Sequence, residues 1–324
     1  MLRRLSKTIV WIALLMGAVI IPVPVSAGNV DIRILIDVSG SMKQNDPGNL
    51  RIPAVRLVAE LMPLGAQAGI WTFSEAIEEL ITARSVDGAW KAAAVKATNK
   101  IHSRGQFTDI EAAVTVATRD WDTAGPADGE RHVILLTDGM VDVSKRPSDS
   151  EASRERLLGA GLARIKSHGA QIHTIALSGN SDAELLTTLA EATEGWAEQV
   201  EDAASLQRVF LHMFEQAASP DSIPLLDNRF DVDSSVSEMT LLVFRAKSAE
   251  PLQLVDPAGE VFDEGSHPDN VSWRGESGYD LVTVGGPETG TWQINTEPDA
   301  DNRVLIVTDL KLEVDVLPAN PHIA

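Results

Sequence analysis

From Asp31 to Ala218 the chain alternates short apolar runs with segments of helical periodicity. Asp31–Ile36 and His132–Leu136 are nearly continuous apolar runs, which predict strands that are covered on both faces. Ile110–Ala117 places apolar residues at i, i+3, i+4 and i+7, a spacing that predicts an amphipathic helix. Repeated alternation of this kind predicts an α/β fold of Rossmann-like type, with a mostly parallel sheet and helices on both faces.

The pattern changes after Ala217–Pro224, whose prolines disfavour both helix and strand ladder and predict a linker. Beyond it, short β-type runs such as Thr240–Phe244 and Val304–Val307 are separated by turn sequences, and helical periodicity is absent. This half is predicted to be an all-β sandwich of immunoglobulin-like type. The predicted organisation is a signal peptide over 1–27, an α/β domain over 28–217, a linker over 218–224, a β-sandwich over 225–317 and a tail over 318–324.

The amino terminus has the pattern of an export signal. Arg3, Arg4 and Lys7 precede the apolar stretch Ile9–Ile21, and small residues allow cleavage after Ala27. The apolar stretch is shorter than the ~20 residues that a membrane-spanning helix needs. We therefore expect a periplasmic or secreted protein; the alternative is an uncleaved segment that anchors the chain in the membrane.

The formal charge of −20 and the pI of about 4.7 narrow the classes of partner. Binding to nucleic acid depends on basic side chains that displace counterions, so a nucleic-acid partner is excluded. Anionic lipid surfaces repel such a chain, which leaves the amino-terminal segment as its only expected membrane contact. The sequence contains no cysteine, and this excludes disulfides, thiolate metal sites and a thiol nucleophile.

The first predicted strand runs directly into Asp37-Val38-Ser39-Gly40-Ser41. In an open parallel sheet, ligands bind beyond the carboxyl ends of the strands. A carboxylate followed by hydroxyls at positions +2 and +4 can direct hard oxygen ligands at one point, a set that suits Mg²⁺. Taken alone, the same residues are also explained as a polar turn that caps the next helix.

Two further polar positions stand at the same predicted edge. Thr108 precedes the helix that begins at Ile110, and Asp138 follows the strand His132–Leu136. Each has a structural explanation of its own, because Thr108 with Glu111 fits a capping box and an Asp-Gly pair often forms a turn. Their order on these predicted elements favours a shared metal site.

With these motifs, residues 30–217 resemble a von Willebrand factor type A domain, and the three sequence pieces match its metal-ion-dependent adhesion site. The resemblance implies bound Mg²⁺, with Mn²⁺ or Ca²⁺ as alternatives, and a partner protein whose Asp or Glu side chain completes the coordination. In one departure, Phe107 stands where such domains often have glycine. The ligands that the resemblance implies are Asp37, Ser39, Ser41, Thr108 and Asp138.

The leading hypothesis is an exported, non-enzymatic module for adhesion or scaffolding that binds protein through its metal. One alternative is a Mg²⁺-dependent phosphotransfer or hydrolytic enzyme at the same strand ends. Against it, Ser39 stands where a second catalytic aspartate would follow Asp37, and the sequence has neither a P-loop nor a G-x-S-x-G motif. The other alternative is a structural subunit for envelope assembly.

Overall fold

A computed structural model describes residues 30–124, 129–177, 181–201, 205–218, 220–245, 250–276 and 278–308. The predicted signal peptide and the predicted tail over 318–324 lie outside the described residues. Within the described ranges, no helix has both the length and the apolar character needed to cross a membrane.

The amino-terminal part is an α/β fold around a six-stranded sheet. Its strands are β1 (Asp31–Asp37), β2 (Gln67–Phe73), β3 (Ile77–Ser85), β4 (Arg131–Thr137), β5 (Ala170–Leu177) and β6 (Ala197–Val200). Its helices are α1 (Met42–Asn45), α2 (Arg51–Leu61), α3 (Gly88–Ala97), α4 (Ile110–Ala117), α5 (Pro147–Arg156), α6 (Leu162–Ser167), α7 (Ala183–Ala192) and α8 (Leu206–Ala218). A π-helical segment, Leu157–Gly161, joins α5 to α6.

The strand order is β3-β2-β1-β4-β5-β6, and every neighbouring pair is parallel except β2 with β3. Successive side chains of β1 point to opposite faces. Ile34 and Ile36 therefore pack in the cluster that contains α2, α3 and α8, whereas Leu35 packs with α4 and α7. The predicted Rossmann-like sheet with helices on both faces is confirmed.

Two strands of this sheet have no counterpart in the sequence prediction. β3 is an edge strand with mostly exposed or half-buried side chains, and β6 is a four-residue edge strand at the other side. Neither has the long apolar run by which the central strands were predicted. Because an edge strand is paired on one side only and is less covered, its sequence carries a weaker hydrophobic signal.

The carboxy-terminal part is all-β, as predicted. Its strands are β7 (Ser222–Ile223), β8 (Arg229–Val232), β9 (Val236–Phe244), β10 (Gln253–Val255), β11 (Val261–Phe262), β12 (Val271–Glu276), β13 (Tyr279–Gly285), β14 (Gly290–Asn295) and β15 (Arg303–Thr308). They form a four-stranded sheet, β11-β10-β14-β8, and a five-stranded sheet, β12-β13-β9-β15-β7. Trp292 of the first sheet and Val282 of the second share one apolar core between the sheets. Ser222–Ile223, within the predicted linker, pairs with β15.

The five-stranded sheet is covered on its other face by the α/β part. Leu242, Phe244 and Tyr279 belong to the same buried cluster as α2 and α8, whereas Leu241 and Val243 face the core of the sandwich. This explains why β9 ends in a continuous apolar run rather than in the alternation of a half-exposed strand. The two parts thus share one continuous core.

Polar contacts border this shared core. The Tyr279 hydroxyl donates to the backbone carbonyl of Pro53 in α2 at 3.1 Å. Charged residues on the helices have partners on the β half. The ion pairs are Arg56–Glu276 at 2.9 Å, Glu60–Arg274 at 2.9 Å, Arg208–Asp299 at 2.7 Å and Glu215–Arg303 at 2.5 Å.

Candidate metal centre

Asp37, the last residue of β1, is fully buried at the carboxyl edge of the sheet. Its Oδ1 accepts the backbone N–H of Ser39 at 2.7 Å, and its Oδ2 accepts the hydroxyl of Thr137 at 2.6 Å. Burial raises the pKa of Asp37 to about 6, although these hydrogen bonds act in the opposite direction. In the described part of the chain no basic side chain forms an ion pair with it. The buried Arg51, which is paired with Asp46, still acts on Asp37 electrostatically without contacting it.

Asp138 follows β4 and is also buried. Its Oδ1 accepts the hydroxyl of Ser41 at 2.8 Å and that of Ser39 at 3.5 Å, and the two hydroxyl oxygens are 3.0 Å apart. Its Oδ2 accepts the amide of Asn45 at 2.9 Å. The structure thus brings Ser39, Ser41 and Asp138 together, and adds Asn45, which the sequence interpretation did not include.

Thr108 lies at the same edge, where its backbone exchanges two hydrogen bonds with Asp142, at 2.6 and 3.1 Å. A Cβ atom placed on Gly139 would lie 3.4 Å from Thr108 Oγ1 and 3.9 Å from Ser41 Oγ. The Thr108 hydroxyl and the Ser41 hydroxyl therefore border the same small space beside Gly139. All five residues that were predicted as ligands lie at this edge; that they bind a metal remains a prediction.

The capping-box explanation of Thr108 is wrong. The N-cap of α4 is Asp109, whose carboxylate accepts the N–H of Ala112 at 2.9 Å. Glu111 does not reach back to the cap, because it pairs with Arg156 at 2.6 Å instead. Because Asp109 caps α4, the helix does not need the side chain of Thr108 as its cap.

The residues before Thr108 are held against the loop that follows β1. The N–H of Gly105 donates to Val38 O at 3.0 Å, and a Cβ atom at position 105 would lie 2.2 Å from the Cβ of Ser74. Only glycine fits so close an approach. Glu75 accepts the backbone N–H of Gln106 at 2.7 Å, and this hydrogen bond is the main reason why the pKa of Glu75 is lowered.

A buried ion pair supports the loop after β1 from below. Arg51, the first residue of α2, and Asp46 are both fully buried and are 2.8 Å apart. Arg51 also donates to Ser103 Oγ at 2.6 Å and to the carbonyl of His102 at 2.9 Å. This pair was missed, because Asp46 stands in a polar stretch that has the composition of an ordinary turn. It ties the start of α2 to two loops of the site.

The rim of the site also carries apolar side chains. Met140, two residues after Asp138, is 61% exposed. Phe107, directly before Thr108, is half-buried.

The donor set consists of carboxylates and hydroxyls, which are ligands for hard cations such as Mg²⁺. Across the described ranges, no group of three or more His, Cys, Asp or Glu side chains is placed to hold a metal. The possible donors at this edge are two acidic side chains, Asp37 and Asp138, and the hydroxyls of Ser39, Ser41 and Thr108.

The sequence matches the von Willebrand factor type A domain family over residues 31–212. Because this match includes more than half of the chain, the protein belongs to that family. No curated protein sequence is significantly similar to the chain.

Among solved structures, "von Willebrand factor type A from Catenulispora acidiphila" is similar with a TM-score of 0.50 at 19% identity, over 86% of this chain and 64% of that one. A mussel protein, proximal thread matrix protein 1 "with zinc occupied MIDAS motif", has a TM-score of 0.45 at 17% identity, over 65% of this chain and 51% of that one. The von Willebrand factor domain of the Porphyromonas gingivalis type V pili tip protein Mfa5 has a TM-score of 0.44 at 12% identity, over 58% of this chain and 95% of that one.

The similarity to the first of these structures shows the fold. The chain spans 64% of the length of the Catenulispora chain and about half of that of the mussel protein. What those proteins bind is therefore a matter for proposals about this chain.

Proposed function

We propose that this protein is an exported, non-enzymatic module for adhesion or scaffolding, which binds an acidic side chain of a partner protein through a divalent cation. Mg²⁺ is the cation proposed, with Mn²⁺ and Ca²⁺ as alternatives. Its proposed ligands are Asp37, Ser39, Ser41, Thr108 and Asp138.

The observation that carries the proposal is the buried Asp37 carboxylate, whose hydrogen-bond donors among the described residues are all neutral. An ionised carboxylate removed from water is costly unless a positive charge compensates it. Asp37 and Asp138 together carry two negative charges, and the hydroxyls of Ser39, Ser41 and Thr108 add none. When bound, a divalent cation would be nearly balanced by these residues and would retain attraction for one more carboxylate.

A binding role is favoured over catalysis by the surroundings of the hydroxyls. Ser39 and Ser41 bond to each other and to Asp138, and in the described part of the chain no histidine is hydrogen-bonded to them. The serine–histidine pair that activates many hydrolytic serines is therefore not formed among the described residues.

Calorimetry on the full chain tests the proposal. We expect Mg²⁺ to bind the wild type, to bind Asp37→Ala undetectably, and to bind Ser41→Ala more weakly than the wild type, since Ser41 supplies one neutral ligand. Asp269→Ala, which removes an exposed carboxylate of the β half, is the matched control and should bind as the wild type does. Equal binding by wild type and Asp37→Ala would overturn the proposal.

Export is proposed from the sequence of residues 1–27, with the periplasm or the medium as its destination and membrane anchoring as the alternative. Amino-terminal sequencing of the protein from fractionated cells tests it. A mature chain that begins at Gly28 would support cleavage, whereas a chain that retains Lys7 would show the anchored form.

A further inference from the structure

A polar cleft of about 320 Å³ opens beside the candidate metal centre, and Lys43, Asp46, His102, Ser103 and Arg104 are among the residues that line it. We call it the basic cleft. It lies between two loops of the site, the one that follows β1 and the one that precedes Thr108. None of the predicted metal ligands lines it.

The basic cleft and the metal centre are built on the same backbone. The N–H of Lys43 donates to the carbonyl of Gly40, between Ser39 and Ser41, at 3.2 Å. Arg104 directly precedes Gly105, which is bridged to Ser39. A partner segment whose side chain reaches the metal centre would therefore also pass close to the cleft.

The charge of the cleft is opposite to that of the chain. Lys43 and Arg104 are exposed, and neither forms an ion pair with a described residue. The one acidic residue that lines the cleft, Asp46, is paired with the buried Arg51. On a protein with a formal charge of −20, these two unpaired cations form a local positive site.

Two acidic residues, Glu75 and Glu78, lie near this cleft without lining it. Both act on His102 electrostatically, and the carboxylate of Glu75 accepts the backbone N–H of Gln106. His102 adds little positive charge, because burial and the neighbouring Arg104 lower its pKa. Lys43 and Arg104 are thus the groups that an anion would meet.

We propose that the basic cleft binds a second carboxylate of the same partner segment, next to the carboxylate that reaches the metal. The inference rests on the proposed function and adds its specificity: the preferred partner presents two acidic side chains close together in sequence. Charged groups of this kind select partners by complementary potential and disfavour segments in which a basic residue occupies the second position.

A peptide scan tests this inference on the full-length, Mg²⁺-loaded protein. Each peptide has one central Glu in a Gly/Ala background, and a second Glu is moved through the three positions on either side. Binding is followed by fluorescence anisotropy of a labelled peptide. We expect a second Glu at one or two positions to increase affinity by about tenfold, the effect of one well-placed charge-assisted contact.

Variants then assign the gain to the cleft. The double variant Lys43→Ala/Arg104→Ala should lose the gain and keep its affinity for Mg²⁺. Lys145→Ala, which removes an exposed lysine of the loop after Asp138, should keep both. Lys43→Glu/Arg104→Glu should instead favour Lys at the second position.

The outcomes separate the two proposals. If binding needs Mg²⁺ and Asp37 but a second Glu does not increase the affinity, the proposed role of the cleft is wrong and the proposed function is unaffected. A gain that persists in Lys43→Ala/Arg104→Ala would also overturn the second-carboxylate inference. If no peptide binds in a Mg²⁺-dependent way, and calorimetry finds no Mg²⁺ site, the proposed function itself fails.

Discussion

Charged side chains are paired differently in two regions of the molecule. One is the loop edge that carries the candidate metal centre, and the other is the interface where α2 and α8 meet the β half. At the interface, Arg56 pairs with Glu276 and Glu215 pairs with Arg303. At the loop edge, Asp37 is buried with neutral donors only, and Nε of the buried Arg51 has no acceptor among the described residues. Incomplete charge compensation costs stability and favours a ligand that supplies the missing charge. The ion pairs and apolar contacts of the interface contribute stability, whereas the buried Asp37 carboxylate at the loop edge reduces it in the absence of a cation.

The largest effect should follow removal of the β half. A fragment that ends at Ala218 would expose the faces of α2 and α8 that pack against Leu242, Phe244 and Tyr279. We expect it to lose about 5 kcal/mol or more of unfolding free energy, because burial contributes roughly 25 cal/mol per Å² of apolar area. Urea denaturation of the fragment and the full chain measures this. A fragment as stable as the corresponding transition of the full chain would show that the interface contributes little.

Replacement of one buried interface side chain should give the next largest effect. Tyr279 is fully buried, so Tyr279→Ala should cost about 3–5 kcal/mol through the cavity that it leaves. Tyr279→Phe keeps the ring and removes only the hydrogen bond to Pro53, and it should cost about 1 kcal/mol. Equilibrium unfolding of both variants tests the interface, and equal costs would contradict the packing argument.

At the loop edge we expect a substitution to raise the unfolding free energy of the metal-free protein instead of lowering it. The pKa of Asp37 is raised to about 6, so the folded, metal-free protein holds this proton more tightly than the unfolded chain does. The contribution of Asp37 to stability should therefore fall as the pH rises from about 4 to about 6, by about 3 kcal/mol at most. Asp37→Asn removes that dependence and should make the metal-free protein about 1–2 kcal/mol more stable at pH 7, since one hydrogen bond is also lost. Urea titrations at pH 4 and pH 7 check both statements, and a wild type that is more stable than Asp37→Asn at pH 7 would refute them.

The smallest effect should come from a single ion pair at the interface. Arg303 and Glu215 are both about a quarter exposed, and water screens their interaction. A double-mutant cycle of Arg303→Ala and Glu215→Ala should give a coupling energy of about 1 kcal/mol or less, which decreases with added salt. A coupling energy larger than the cost of Tyr279→Phe would show that the ion pairs, rather than the apolar core, contribute most of the stability of the interface.

The elements around the site were predictable because their signals are local. Asp37 follows the apolar residues of β1 directly, and Asp138 is separated from its apolar run only by Thr137. Parallel strands place these carboxyl ends at one edge, so strand prediction alone was enough to bring the two carboxylates together. The position of Thr108 was predicted, but the sequence did not decide whether Thr108 or Asp109 caps α4, because both stand at the start of this helix.

The long-range contacts were not predictable in this way. Tyr279 and Pro53 are 226 positions apart, and the pattern around either residue does not identify the other. A partial signal did exist in Leu241–Phe244, since four consecutive apolar residues indicate a strand buried on both faces. It shows that a second layer covers the sheet, without showing that α2 and α8 form this layer. The pairing of Arg51 with Asp46 has no hydrophobic signature at all.

The central position of β1 has a mechanical consequence. The loop with Ser39 and Ser41 continues directly from this strand, which is hydrogen-bonded to β2 on one side and to β4 on the other along nearly its whole length. Tension applied along the axis of β1 would shear both ladders at once, so that many hydrogen bonds share the load instead of opening one after another. A force transmitted through β1 would therefore unfold the domain only when the central strands of the sheet separate.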